Sequence, residues 1–284
     1  MGGDLNVKKL DLNAGLGTDL GILLANFNIS LDNSGTTGDI KLKAISGIPD
    51  RNILDANHRF IYLPVVAADG KTWLNNNLGA NYANLNHGQF NSEQQATAYN
   101  DYHAYGSLYQ WGRYSDGHEL MNYSSGTLGT PVTVTTFSTH ATTTTPNNST
   151  FYLGDDSPNT QDHNWLDFGA SPHATEDDLW QGEASPNNPC PQGYRLPTEA
   201  EMTTLVSDEG ITDYTNAASS SLAFTTTGNR RSSDGSITNE GVLGLYWSST
   251  ISGAYARNRN FSSSSANAFS GNRAFGFGVR CIQD

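Results

Sequence analysis

Alternating and clustered apolar positions predict β-strands in the first third of the chain. GILLANFNISL (21–31) and GDIKLKAISGI (38–48) are strand-like and are separated by the turn-like DNSGTTG. RFIYLPVV (59–66) predicts another strand, and DGKTWLNNNLGA (69–80) begins with a turn signal before a further short strand. The chain therefore begins with several strands before any helical pattern occurs.

A helical period follows over residues 92–113, SEQQATAYNDYHAYGSLYQWGR. Ser92 is a natural N-cap, and Gly106 weakens the helix but allows close packing. Apolar or aromatic residues recur through this stretch at Ala98, Tyr102, Tyr105, Tyr109 and Trp111. The pattern predicts the first helix here.

The second predicted helix is marked by its ends. Thr198 and Glu201 have the spacing of a capping box, Pro197 precedes them, and Gly210 closes the segment TEAEMTTLVSDEG. After a polar loop, three apolar segments predict closing strands: VLGLYWSSTI (242–251), AYARNRNF (254–261) and RAFGFGVRCI (273–282).

These elements predict an α+β fold with two helices flanking a mainly antiparallel sheet, in which the first and last strands lie together. Residues 1–57 are expected to form a β-rich arm or small module, and residues 58–284 the main domain. Within that domain, residues 114–189 have sparse secondary-structure signals and are expected to be a large irregular insertion.

Composition narrows the class of protein. Charged residues make up only 15% of the 284 residues, and 29 are glycine, which indicates a globular, loop-rich chain covered by uncharged polar residues. The net charge of −13 disfavours nucleic-acid binding, which needs a basic face. No apolar run approaches the roughly 20 residues of a membrane span.

Two cysteines, Cys190 and Cys281, are present. A disulfide between them would stabilise the fold by roughly 4 kcal/mol, because it closes a long loop. Two free buried thiols are the alternative. The composition otherwise favours an extracytoplasmic protein, on a cell or virion surface, in which a disulfide persists.

Four motifs in order resemble a known family. KTWLNNNLGA (71–80), YGSLYQWGR (105–113), GYRLPTEAEM (193–202) and GFGVRC (276–281) resemble the C-type lectin fold of bacterial surface proteins, closest to the Fibrobacter succinogenes major paralogous domain. The resemblance does not cover residues 1–57. It implies a disulfide from a helix region to the last strand, a role that Cys190 and Cys281 fit.

RLPTEAE is also similar to the formylglycine-generating sulfatase-modifying enzymes, which share that fold. Those enzymes work through cysteine chemistry, and this chain has no cysteine left once the implied bridge is formed. A degenerate relative of these enzymes stays an alternative, but we expect no catalysis.

A second resemblance is to the variable proteins of diversity-generating retroelements, which use the same fold and vary a segment near the C-terminus. The resemblance implies variation at AAY codons, whose NNY products exclude Lys, Glu, Gln, Trp and Met. None of those five occurs from Ser248 to Gly276, within the expected variable region 246–281. An ordinary Ser/Asn-rich strand and loop of a non-diversified surface adhesion protein is the alternative.

Strand alternation separates AYARNRNF into two faces. Tyr255, Arg257, Arg259 and Phe261 form the set that suits binding, because tyrosine and arginine are favoured at interface hot spots. The further candidates are Asn258, Phe269, Asn272, Arg273 and Phe275. Core packing of Phe261 and Phe275, with solvated arginines, is the alternative. A protein or a surface glycan is the expected ligand, and the oligomeric state stays open.

Other chemistry is not predicted. The seven histidines lack zinc spacing, and the acidic insertion lacks EF-hand spacing and the EPN and WND tripeptides of calcium-dependent lectins. We therefore expect no metal and no cofactor. Trp111 and Trp247 are expected in the core, and Arg280 is expected to make a structural hydrogen-bond fork.

Overall fold

The computed structural model describes residues 30–31, 40–41, 47–132, 137–138, 140–154, 163–166 and 176–284. The chain divides into two units, residues 1–48 and 49–284. In the first unit, β1 (Ser30–Leu31) pairs antiparallel with β2 (Ile40–Lys41). The other residues of the predicted strands 21–31 and 38–48 lie largely outside the described residues. No described helix has the length and apolarity needed to cross a membrane.

Strands from the start and the end of the second unit share one sheet. Two short strands come first, β3 (Ile48–Pro49) and β4 (Ile61–Tyr62). The shared sheet consists of β5 (Pro64–Val66), β6 (Thr72–Leu74), β12 (Tyr194–Arg195) and β19 (Ile282–Gln283). The sheet has the order β12-β19-β6-β5, and Ile282 pairs with Trp73. The predicted pairing of first and last strands is confirmed.

The helix predicted over residues 92–113 is wrong. Only a 3₁₀ turn, Tyr102–Ala104, and a strand, β7 (Tyr109–Gln110), occur in this stretch. Gly106 has a φ of +78°, and a Cβ there would lie 2.3 Å from the carbonyl oxygen of Leu78. This left-handed backbone and close approach stop an α-helix at the point where the sequence period is strongest.

The helix predicted after Pro197 is confirmed as α1 (Glu199–Asp208). Thr198 Oγ1 accepts from the Glu201 backbone N–H at 3.2 Å, and Glu201 Oε2 accepts from the Thr198 N–H at 2.8 Å. This is the predicted capping box. A second helix, α2 (Tyr214–Ser219), was not predicted and begins at the N-cap Asp213.

Residues 244–284 form a three-stranded antiparallel sheet and two short strands. The sheet has the order β15 (Gly244–Ser252), β16 (Tyr255–Phe261) and β17 (Ala266–Asn272). The single strand predicted over residues 273–282 is wrong, because that stretch forms only β18 (Gly276–Phe277) and enters β19. The third long strand is instead the small-residue segment 266–272, whose hydrogen bonds to β16 outweigh its low apolar content.

The remaining strands cover the middle of the chain. They are β8 (Met121–Ser125), β9 (Leu128–Pro131), β10 (Phe137–Ser138), β11 (Phe151–Tyr152), β13 (Asn229–Arg230) and β14 (Ile237–Thr238). β8 and β9 form a hairpin, and β18 pairs between β13 and β7. The described part of the predicted insertion also buries Trp165 and Trp180. It therefore contributes core to the second unit.

The core confirms the structural roles expected for three residues. Trp111 and Trp247 are buried. The Arg280 guanidinium donates to Asn77 Oδ1 at 3.0 Å and to the carbonyl oxygens of Leu74 and Leu222 at 3.3 and 2.6 Å. The described residues form a mainly antiparallel β structure with two short helices, which is consistent with the α+β class.

Candidate ligand-binding surface

The two faces of β16 meet different surroundings. Arg257, Arg259 and Phe261 lie on the face that α1 covers. Arg257 Nε and Nη2 donate to the Glu199 carboxylate at 2.9 and 2.6 Å, and Arg259 Nη2 donates to Thr203 Oγ1 at 2.7 Å. The hydrogen-bonded Arg257 guanidinium lowers the pKa of Glu199. These arginines attach the sheet to the helix.

Phe261 and a further candidate, Tyr255, also contact other residues of the protein. Phe261 is 1% exposed and packs with Phe224 and Tyr246 in the main core cluster. The Tyr255 ring stacks on His163 at 4.3 Å, and its hydroxyl lies 2.9 Å from His163 Nε2. Their ligand-binding roles stay a prediction. For Phe261, contact with a ligand would require opening the core.

The candidates at the end of β17 and just after it are largely buried. Arg273 Nη2 donates to Asp177 Oδ1 at 2.6 Å and to the Gly253 carbonyl at 3.0 Å, while its guanidinium lies over Trp111. Asn272 Oδ1 accepts from the Ala274 N–H. Phe275 is half-buried and stacks on Phe277. Of this group, Phe275 is the one that reaches a surface cleft.

The opposite face of the sheet and its edge carry the exposed positions. Asn258 pairs with Phe269 across the strands, is buried, and donates to the Phe269 carbonyl at 3.3 Å. The Phe269 side chain is 49% exposed, although its ring is large and apolar. The other exposed positions of the segment are Ile251, Gly253, Ser263, Ser264, Asn267 and Ser270. They lie at the end of β15 and in its turn to β16, in the β16–β17 turn, and along the edge strand β17.

A shallow cleft of about 450 Å³ lies on that opposite face. Leu245, Phe275 and Phe277 supply its apolar lining, while Asn260 and Arg231 supply polar groups. Asn260 Oδ1 is buried without a hydrogen-bond partner among the described residues. The cleft is therefore lined by side chains of the C-terminal segment and by side chains of the neighbouring strand pair β13 and β14.

Both ends of the segment are held firmly. The Trp247 indole N–H donates to the Tyr109 carbonyl, and the Trp111 indole N–H donates to the Ser248 carbonyl, each at 2.8 Å. At the other end, Cys281 forms the predicted disulfide with Cys190. The exposed edge strand therefore lies between two segments that are held in place, one by indole hydrogen bonds and the other by the disulfide.

A buried charged cluster, which the sequence patterns did not indicate, lies elsewhere in the second unit. His58 Nε2 donates to Glu119 Oε1 at 2.7 Å, and Arg113 donates to Asp116 Oδ2 at 2.9 Å. Burial would lower the pKa of His58, but the hydrogen bond and charge of Glu119 outweigh it and raise that pKa to about 9. A spacing search misses this pair because 61 residues separate its members.

Asp116, His118 and Glu119 bring three possible metal ligands together. The His118 ring already uses both nitrogens, however. Nε2 accepts from the Gln110 N–H at 3.1 Å, so Nδ1 carries the proton that it donates to Asp116 at 2.8 Å. A metal at Nδ1 would require loss of that proton and of the hydrogen bond, so the group fits an internal hydrogen-bond network better than a metal site.

Of the aspartates in the acidic insertion, Asp155, Asp156, Asp162 and Asp167 lie outside the described residues. Asp177 is described and pairs with Arg273.

Comparisons of the chain with protein-family models, with curated proteins and with solved structures found no match.

Proposed function

We propose that this chain is a ligand-binding protein that displays a diversified C-terminal surface on a C-type-lectin-like scaffold. The observation that carries the proposal is the contrast within one segment. Phe269 and small polar residues are exposed along β17, while the adjacent β16 is attached to α1 and to the core. A protein or surface glycan is the ligand, and no catalytic step is proposed.

The composition of the exposed positions supports binding. Serine, asparagine and glycine surround a large aromatic ring, which is the mixture that antibody loops use for adaptable contacts around rigid anchors. All four arginines from Tyr246 onward donate internal hydrogen bonds, so the surface offers shape and polar groups with little free positive charge.

The location follows from the disulfide and the ligand class. A disulfide persists in oxidising compartments, so the protein acts outside the cytoplasm, on a cell or virion surface. The shared sheet of first and last strands, the capped helix before β15 and the disulfide all agree with the lectin-like scaffold.

Comparison of this gene among isolates tests the proposal. Diversification predicts amino-acid differences concentrated within residues 248–276, at AAY-derived codons and at the exposed positions of β17 and its turns. Ala256, Phe261 and Arg273 should stay constant because their side chains are buried. Differences spread evenly over the chain, or an invariant segment, would contradict it and would favour a non-diversified adhesion protein.

The same substitution at two phenylalanines tests the tolerance of the surface. Phe269→Leu should change the free energy of unfolding by less than about 0.5 kcal/mol, because that ring is half exposed. Phe261→Leu should destabilise the protein by about 1–2 kcal/mol, because it leaves a packing defect in the core. Urea unfolding of both variants measures the difference, and equal losses would count against a tolerant display strand.

A further inference from the structure

A cleft beside His58 and Asp55 is separate from the C-terminal surface. Its volume is about 560 Å³, within the range of small-molecule sites. Its lining includes the uncharged polar side chains of Asn52, Tyr114, Asn147 and Ser149 beside charged and apolar residues. The Tyr114 hydroxyl donates to Asn52 Oδ1, which holds one wall.

A buried donor without a partner lies at this cleft. The His58 side chain is 5% exposed, and its Nε2 is used by Glu119. His58 Nδ1 has no hydrogen-bond partner among the described residues. Asp55 Oδ1 lies 3.6 Å from it, which is too long for a hydrogen bond. With Nε2 donating to Glu119 and the ring protonated at neutral pH, Nδ1 also carries a proton that needs an acceptor.

Charge decides which ligand suits this position. His58 is paired with Glu119, Arg51 with Glu183, and Asp116 with Arg113, so these charges offset one another. Asp55 adds a half-exposed carboxylate. An anionic ligand would meet that carboxylate and is disfavoured. A neutral group that both accepts and donates hydrogen bonds is favoured.

A hydroxyl group meets that requirement. An oxygen beside the line from His58 Nδ1 to Asp55 Oδ1, admitted when the half-exposed Asp55 side chain turns outward, can accept from Nδ1 and donate to the Asp55 carboxylate. The remaining amide and hydroxyl side chains of the lining can bond further hydroxyl groups, and Tyr114 offers an aromatic ring. We propose that the cleft between Asp55, His58 and Tyr114 binds a neutral polyhydroxylated ligand, such as a sugar residue.

This site does not depend on the proposed display surface, because it shares no lining residue with the cleft beside β16. The two can therefore fail separately. Binding here would be unaffected by variation in residues 248–276.

The experiment titrates the full-length protein, labelled with ¹⁵N at histidine, with the methyl glycosides of glucose, galactose and mannose. The His58 ring ¹⁵N signals report directly on Nδ1. We expect saturable shifts of these signals with at least one glycoside and none with acetate.

Two matched variants make the test specific. Asp55 and Asp234 are both half-exposed turn residues, and the Oδ1 of each accepts from the backbone N–H two residues later. Asp55→Asn should weaken glycoside binding about tenfold, since a charge-assisted hydrogen bond is lost. Asp234→Asn should leave it unchanged. Because both asparagines keep the turn acceptor, neither change should unfold the protein.

Three outcomes would overturn the proposal. They are absence of saturable His58 shifts with all three glycosides, equal weakening by the two variants, and a stronger response to acetate than to any glycoside.

Discussion

Replacing Cys190 and Cys281 together with alanine is expected to lower the free energy of unfolding by about 4–5 kcal/mol. The bridge closes a loop of 91 residues, and the entropy of the unfolded chain rises when such a loop is opened. The bridge also precedes β12 and β19, which pair through Tyr194 with Gln283 and Arg195 with Ile282. Its loss therefore loosens the sheet that holds both ends of the second unit.

Chemical unfolding of the double variant, with and without reductant, measures this effect. Wild-type protein in dithiothreitol should lose a similar amount, while the variant should not respond to reductant. A loss below about 1 kcal/mol would contradict the prediction, because it would mean that the pairing of β12 with β19 holds the sheet without the bridge. A variant that stays folded but loses turnover of a sulfatase peptide would instead support the enzyme alternative.

Replacing Glu119 with glutamine is expected to cost about 3–5 kcal/mol, the second large effect. Removing one partner of a buried ion pair leaves the other charge without compensation. Here the uncompensated charge would be that of His58, which is buried. The change also removes an acceptor for the Gly117 N–H and the His118 ring, since one glutamine terminus only donates.

The same pair predicts a dependence of stability on pH. The pKa of His58 is raised to about 9 in the folded protein from an ordinary value of 6.5, so its contribution is complete below pH 6.5 and is lost as the pH rises through 9. Burial raises the pKa of Glu119, but the hydrogen bonds from His118 and His58 and the charge of His58 outweigh it and hold that pKa well below its usual range. The contribution of Glu119 to the free energy of unfolding is therefore lost only in acid.

Unfolding free energies measured from pH 6.5 to 9 test the ion pair. Wild-type stability should fall across this range, and that fall should disappear in Glu119→Gln. The matched control is Glu183→Gln, which removes the half-exposed partner of Arg51 and should cost less than about 1 kcal/mol without changing the pH profile. A flat wild-type profile would show that His58 is not charged in the folded state.

Local chemistry accounts for the successful predictions. The helix after Pro197 was predicted because its capping box lies within four consecutive residues, and the observed N-cap hydrogen bonds are those of that motif. The stretch 92–113 had a better apolar period and a candidate N-cap in Ser92, but its interior Gly106 has a left-handed backbone. Its aromatic residues Tyr105, Tyr109 and Trp111 are all buried, in a turn-rich segment where contacts come from several directions.

Strand alternation predicted the division of β16 into two faces, while the ligand-binding roles of its residues stay a prediction. Alternation correctly separated Arg257 and Arg259 from Asn258, because successive strand residues face opposite sides. It could not say which side α1 would cover. Phe261 and Phe269 are the same residue type in the same segment, yet one lies in the core and the other at an exposed edge.

The sequence by itself determined the capped helix, the pairing of Cys190 with Cys281, the core positions of Trp111 and Trp247, and the meeting of the first and last strands. These follow from short-range hydrogen bonds, apolar pattern and the resemblance. Only the tertiary structure decided which face of β16 is covered, and that His58 meets Glu119. Both depend on segments far apart in the chain, whose approach no local pattern encodes.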